Sequence, residues 1–312
     1  MKQRLITHKH TLFGVAAILL WGSLMGLTRR VAEEFSPIGG AALIYSVSTL
    51  FLLVTMGIPR LKSNSTRYVL IGGALFVSYE ICLALALGMA NDRLQAIEMS
   101  VINYLWPALT VLIAVLLSQR SVSVWVYPSV ALAFIGVAWT IVADQGISVA
   151  DLSSRIATNP TVYTMAFIGA FIWAIYCNVT QRLAQGQNAI VLFFGATAAT
   201  LWLQYAISNE PALEFTWSNV TILLFAGVVM GSGYALWNVA ILRGNMLLLA
   251  TLSYFTPVIS TLFSSMILGV VLGLSFWQGV VMVTLGSLIC WWVTREPSAS
   301  KENQASDPVS NQ

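Results

Sequence analysis

Asn103-Tyr104-Leu105-Trp106-Pro107 stands in the middle of a long uncharged run, and Ser253-Tyr254-Phe255-Thr256-Pro257 repeats its pattern 150 positions later. Each motif places a polar residue, a tyrosine and a proline in a stretch otherwise suited to lipid. Proline lacks the N–H that the carbonyl four residues earlier would accept from in a helix, so Pro107 and Pro257 are expected to kink their segments and free the carbonyls of Asn103 and Ser253. Lipid offers no partner for a freed carbonyl, so both kinks should face protein, water or a ligand in the interior. Moving outward, Gly136 matches Gly286 at the same offset, Trp21 matches Trp173 at 152, and Tyr79 matches Tyr234 at 155. Four pairs in corresponding segments point to an internal duplication.

The composition says what surrounds the repeat. Of 312 residues 58% are hydrophobic and 9% charged, against about 45–50% apolar and about 25% charged in a soluble domain. So few charges do not clothe a soluble enzyme of this length, and a mean hydropathy of +0.81 makes lipid the missing cover. Because a helix needs about 20 apolar residues to cross hydrocarbon, ten spans are expected: roughly 11–28, 38–58, 68–90, 97–118, 122–143, 160–181, 188–207, 217–241, 246–270 and 273–294. The fold class is therefore an all-α polytopic membrane protein. The first repeat takes 11–143 and the second 160–294, with a periplasmic connection at 144–159 and polar cytoplasmic tails at 1–10 and 295–312. Five crossings per repeat turn the second copy upside down, which puts a site near the midplane between inverted halves.

Lys and Arg distribute as eleven on one side of the ten spans and four (Arg29, Arg30, Arg93, Arg155) on the other, so both termini are expected in the cytoplasm. Arg29 and Arg30 are the local violation, with Glu33 and Glu34 placed to pair with them. The first apolar run is as long as a full span and leads to Arg29-Arg30 rather than to a small-residue cleavage site, so it is expected as a retained helix and not a signal peptide. A formal charge of +3 without a basic cluster gives no reason to expect nucleic acid. Cys82, Cys177 and Cys290 fall in apolar stretches, where packing is the expected role. No phosphate loop and no metal-binding motif is present, and no cofactor is expected.

Glu80 is the only charged residue deep inside a span. Placing a carboxylate there costs ~3 kcal/mol on insertion scales, and no span supplies a cation to pair with it. It must face a wet cavity, accept hydrogen bonds or be protonated; a substrate or proton role and a structural carboxyl both remain open. Its repeat counterpart is Ala235, so its role is asymmetric. Tyr79, Tyr104, Trp106, Trp173, Tyr176, Trp237 and Tyr254 offer aromatic surface with polar handles within their spans, and Asn178 and Asn238 add amides, which bind substrate or merely join helices. Trp125, Trp217, Trp277, Trp291 and Trp292 lie near span ends as interfacial anchors. Gly22/Gly26 and Gly227/Gly231 are spaced for close helix packing. An enzyme needs a second catalytic group within reach, and the spans offer none as deep as Glu80. A membrane-embedded enzyme and an assembly protein are thus the remote alternatives to a transporter.

Phe76-Val77-Ser78-Tyr79-Glu80, Gln95-Ala96-Ile97-Glu98, Ala166-Phe167-Ile168-Gly169-Ala170-Phe171-Ile172-Trp173-Ala174 and the two proline motifs together resemble the YddG-type aromatic amino acid exporters of the drug/metabolite transporter superfamily. The resemblance runs from about Gly14 to Arg295. It implies two inverted EamA-like repeats in a bacterial inner membrane, export of phenylalanine, tyrosine and tryptophan by alternating access, and tolerance of methyl viologen. It also implies Tyr104 and Trp106 as cavity aromatics, with Tyr79, Trp173 and Ser253 beside them. Phosphorylated sugars need fixed positive charge that no span supplies, whereas hydroxyls and amides can hold a zwitterion's carboxylate and freed carbonyls or Glu80 its ammonium. A multidrug or neutral amino acid exporter of the same fold is the neighbouring alternative. Ten helices suffice to enclose a cavity in a monomer.

Overall fold

Apolar runs, punctuated by charge and proline, become helices in the computed structural model, which describes residues 2–59, 66–118, 123–142, 148–185, 187–243, 249 and 252–294. Among the described residues there is no strand. In chain order the helices are α1 (Lys2–Glu34), α2 (Pro37–Met56), α3 (Gly73–Gly88, entered through a π-helical turn at Tyr68–Gly72), α4 (Arg93–Asn103), α5 (Trp106–Ser118) and α6 (Val126–Val142). They continue as α7 (Val149–Ala157), α8 (Pro160–Leu183), α9 (Ile190–Ile207), α10 (Trp217–Arg243), α11 (Thr256–Leu268) and α12 (Leu274–Thr294). Eight segments are long and apolar enough to cross a membrane, α4 and α5 counting as one, and α6 and α11 are shorter apolar helices. These eight segments and two shorter helices fall on the ten stretches expected to span.

Several boundaries differ from the sequence reading, each for a local reason. The first span was expected to end near 28, but α1 runs to Glu34 because its charges pair along the helix: Arg29 reaches Glu33 at 3.0 Å and Arg30 reaches Glu34 at 2.9 Å. The stretch 144–159, expected as a bare connection, carries α7, whose N-terminus is capped by the Ser148 hydroxyl accepting from the Asp151 amide at 3.0 Å. The proline kinks are sharper than kinks. The helix stops at Tyr104-Leu105 and again at Tyr254-Phe255, and Pro107 and Pro257 each become the second residue of a new helix, where the missing N–H has no helical partner to lose. The Ser253 carbonyl, expected to be free, accepts from the Thr256 hydroxyl at 2.6 Å.

Contacts between helices come in mated sets, as an inverted duplication requires. α1 packs on α10 as α8 packs on α3, α1 on α11 as α8 on α4 and α5, and α2 pairs with α9 as α6 does with α12. The last pair shows the symmetry atom by atom. A Cβ added to Gly136 would lie 2.7 Å from the Gly279 carbonyl oxygen and 2.8 Å from the Val283 amide; one added to Gly286 would lie 2.6 Å from the Ser129 oxygen and 2.8 Å from the Ala133 amide. Each residue of one contact lies 150 positions from its mate in the other, so the approximate two-fold axis runs between α6 and α12. The Gly22/Gly26 and Gly227/Gly231 pairs also serve close packing, the first against α11 and the second against α2.

Candidate substrate site

The two helix breaks and the mid-portions of α1, α2, α3, α8 and α10 surround a cavity of about 250 Å³. Its walls are aromatic and arranged in symmetric pairs: Trp173 lies on Tyr79 with ring centroids 4.3 Å apart, and their repeat mates Trp21 and Tyr234 meet edge to face at 5.4 Å. Trp106 stands edge-on to Trp173 at 6.4 Å, and Trp237 leans on Trp21 at 5.0 Å. Gly233 makes room for the Trp21 indole, which a side chain there would strike at 2.8 Å.

Glu80 lines this cavity at 4% exposure. The Tyr45 hydroxyl of α2 donates to one carboxyl oxygen at 2.5 Å and the Tyr234 hydroxyl of α10 donates to the other at 2.9 Å. Two neutral donors thus take the place of the missing cation, and the carboxylate ties the first half of the chain to the second. Also on the wall, Asn103 donates to the Tyr79 hydroxyl at 3.3 Å, while its Oδ1 has no hydrogen-bond partner.

Of the residues expected at the site, Tyr79, Glu80, Asn103, Tyr104, Trp106, Trp173, Trp237 and Ser253 line the cavity. Tyr176 does not: its ring backs Trp173 at 4.8 Å and turns into the buried cluster around Phe76, at 5.6 Å. Tyr254 also faces elsewhere, against Trp291 at 5.9 Å. The Asn238 side chain lies outside the described residues. Asn178 joins helices, donating to the Thr110 and Ala174 carbonyls at 3.1 and 2.9 Å. Trp21, Tyr45 and Tyr234 were missed. Trp21 and Tyr234 were recoverable, since each is the repeat mate of a residue that was named; Tyr45 carries no comparable signal.

One end of the bundle is held by a clasp of charged side chains, buried at Arg29 and open to the surface at Arg93. Arg29, 9% exposed, donates to the carbonyls of Leu87, Gly88 and Ala90 at 3.2, 3.1 and 2.8 Å, closing the C-terminal end of α3. Arg93 donates to the Leu268 carbonyl at 2.8 Å and so closes the end of α11. Glu33 lies between the two arginines, 3.0 Å from Arg29 and 2.8 Å from Arg93. Cations at helix C-termini are favourably placed, and the shared carboxylate links α1, α3, α4 and α11. Nearby, Glu98 is 2% exposed and accepts from Arg155 at 3.0 Å and Tyr163 at 2.5 Å. It is buried, although the sequence places it near a span end.

The EamA-like transporter family model matches residues 8–142 and 160–292. The chain belongs to this family. Among its relatives, the aromatic amino acid exporter YddG of Salmonella typhimurium (strain 14028s / SGSC 2262) is 46% identical over 289 residues, covering 93% of this chain and 99% of that protein. The aromatic amino acid exporter YddG of Escherichia coli (strain K12) is 46% identical over 287 residues, 92% of this chain and 98% of that one. The Ancylobacter novellus protein of the same description is 28% identical over 81% of the EamA-like chain and 86% of its own. A solved crystal structure superposes with a TM-score of 0.64 at 24% identity, over 93% of this chain and all of the other, and shares the fold.

Proposed function

We propose that the chain is a secondary carrier that exports aromatic amino acids, phenylalanine, tyrosine and tryptophan, by alternating access. The observation that carries this reading is an aromatic cavity between inverted halves, closed by two helix breaks and holding one carboxylate. Aromatic walls suit an aromatic ring. The broken helices offer carbonyl ends to an ammonium and amide ends to a carboxylate. The names of the two relatives at 46% identity support the same substrates. Methyl viologen is a second substrate of this reading, because a flat dication is attracted to indole rings such as those that line the cavity with Glu80.

The membrane is the bacterial inner membrane, with both termini cytoplasmic by the distribution of Lys and Arg. The clasp then lies at the periplasmic end and must part to release substrate outward. One chain encloses the cavity, so a monomer is the working unit. In proteoliposomes preloaded with phenylalanine, labelled phenylalanine added outside should accumulate by counterflow, and Trp106→Ala should lose this at equal reconstitution. Wild-type rates in the variant would remove Trp106 from the site. Exchange of methyl viologen without phenylalanine would overturn the amino acid assignment.

A further inference from the structure

The cavity is charged on one side only. Glu80 is its one ionisable acid, and no Lys, Arg or His is among the described residues that line it. An amino acid brings a carboxylate as well as an ammonium, and the two are not served alike. The ammonium meets the Glu80 carboxyl group and a second acceptor, the unpartnered Oδ1 of Asn103. Each Glu80 oxygen has two lone-pair sites and spends one on a tyrosine hydroxyl, so room remains for an ammonium N–H. The carboxylate meets no cation, only neutral donors such as the unpartnered indole N–H of Trp21 and the hydroxyl of Tyr104 and the partial charges at the N-terminal ends of α5 and α11, each of which has already lost an amide N–H to proline. Leaving water for such a place costs a carboxylate more than the partial charges return. The ring faces of Trp21, Trp106 and Trp237 add attraction for a cation and none for an anion.

We infer that the cavity takes arylalkylamines, aromatic amino acids without their carboxylate, as a further substrate class, and that it ranks these amines above the amino acids and aromatic carboxylates below both. The inference rests on the proposed amino acid site and on Glu80 as the group that sorts by charge.

Three ligands with one ring isolate the charges: 2-phenylethylamine, phenylalanine and 3-phenylpropionate. Each competes against labelled phenylalanine for the purified full chain in detergent. The amine should displace label at a concentration at least about tenfold below phenylalanine, and 3-phenylpropionate should be the weakest. Glu80→Gln should remove the preference for the amine while 3-phenylpropionate binds as well as before or better, which also shows that the variant is folded; Glu80→Asp should keep it. Transport is read with the N,N,N-trimethyl form of the amine, a permanent cation that cannot cross lipid as a free base, and it should exchange in proteoliposomes. Equal or weaker displacement by the amine, an unchanged ranking in Glu80→Gln, or binding of the trimethyl form without exchange would each overturn the inference. If the cation exchanges and phenylalanine does not, the amino acid reading fails and the amine class stands.

Discussion

A carboxylate in the middle of a membrane protein is tolerable only if its oxygens are occupied. Glu80 shows how few groups this takes: two phenols from different halves of the chain, Tyr45 and Tyr234, with no cation. Removing one partner of a buried charged group costs about 1–3 kcal/mol. Tyr45→Phe and Tyr234→Phe should each lower the thermal unfolding midpoint of the purified protein in detergent by that equivalent. A midpoint unchanged in both would mean that the carboxyl is solvated by water instead. The sequence revealed Glu80 because an acid without a cation stands out in an apolar run, but it did not reveal its holders. Tyr45 and Glu80 are 35 positions apart on different helices, and nothing in the neighbourhood of Tyr45 distinguishes it from a packed tyrosine. Tyr176 shows the converse: its position in α8 resembles that of a cavity residue, and only the packing around Phe76 shows that it faces away.

At the scale of helices, the duplication was readable because backbone constraints leave their mark on residue type. Proline after a break and glycine at a crossing have few substitutes, so Pro107/Pro257 and Gly136/Gly286 survive in register where most side chains have diverged. What could not be read was that each proline starts a helix rather than bending one; a lone proline fits both outcomes, and the surrounding turn geometry decides. The crossing of α6 and α12 makes a symmetric prediction. Gly136→Ala and Gly286→Ala each press a methyl group into the partner backbone, at 2.7 and 2.6 Å, and should destabilise by about 1–3 kcal/mol and to a similar degree. Thermal unfolding of the two variants tests this, and a loss confined to one of them would contradict a two-fold axis at this crossing.

For the molecule as a whole, the clasp joins helices from both halves of the chain, α1, α3 and α4 with α11, which is why counting charges exposed Arg29 as a topological exception without saying what it holds. Glu33→Gln leaves Arg29 on its three carbonyls but removes the charge that Arg93 shares, so the attachment of α11 should weaken while α3 stays capped. With Cys82, Cys177 and Cys290 replaced by alanine and Ser253→Cys as the probe, a membrane-impermeant maleimide added to intact cells should label the cavity several-fold faster in Glu33→Gln than with Glu33 present. Equal labelling would show that the clasp is not what shuts that end. A last consequence lies in how the two halves divide their labour. The helix breaks exist in duplicate, one per repeat, whereas among the described residues of the cavity wall the carboxyl group exists once, at Glu80, whose repeat counterpart is an alanine. On the proposed reading, a lineage built on this plan changes its cargo by exchanging one residue of α3, while the paired breaks are inherited intact.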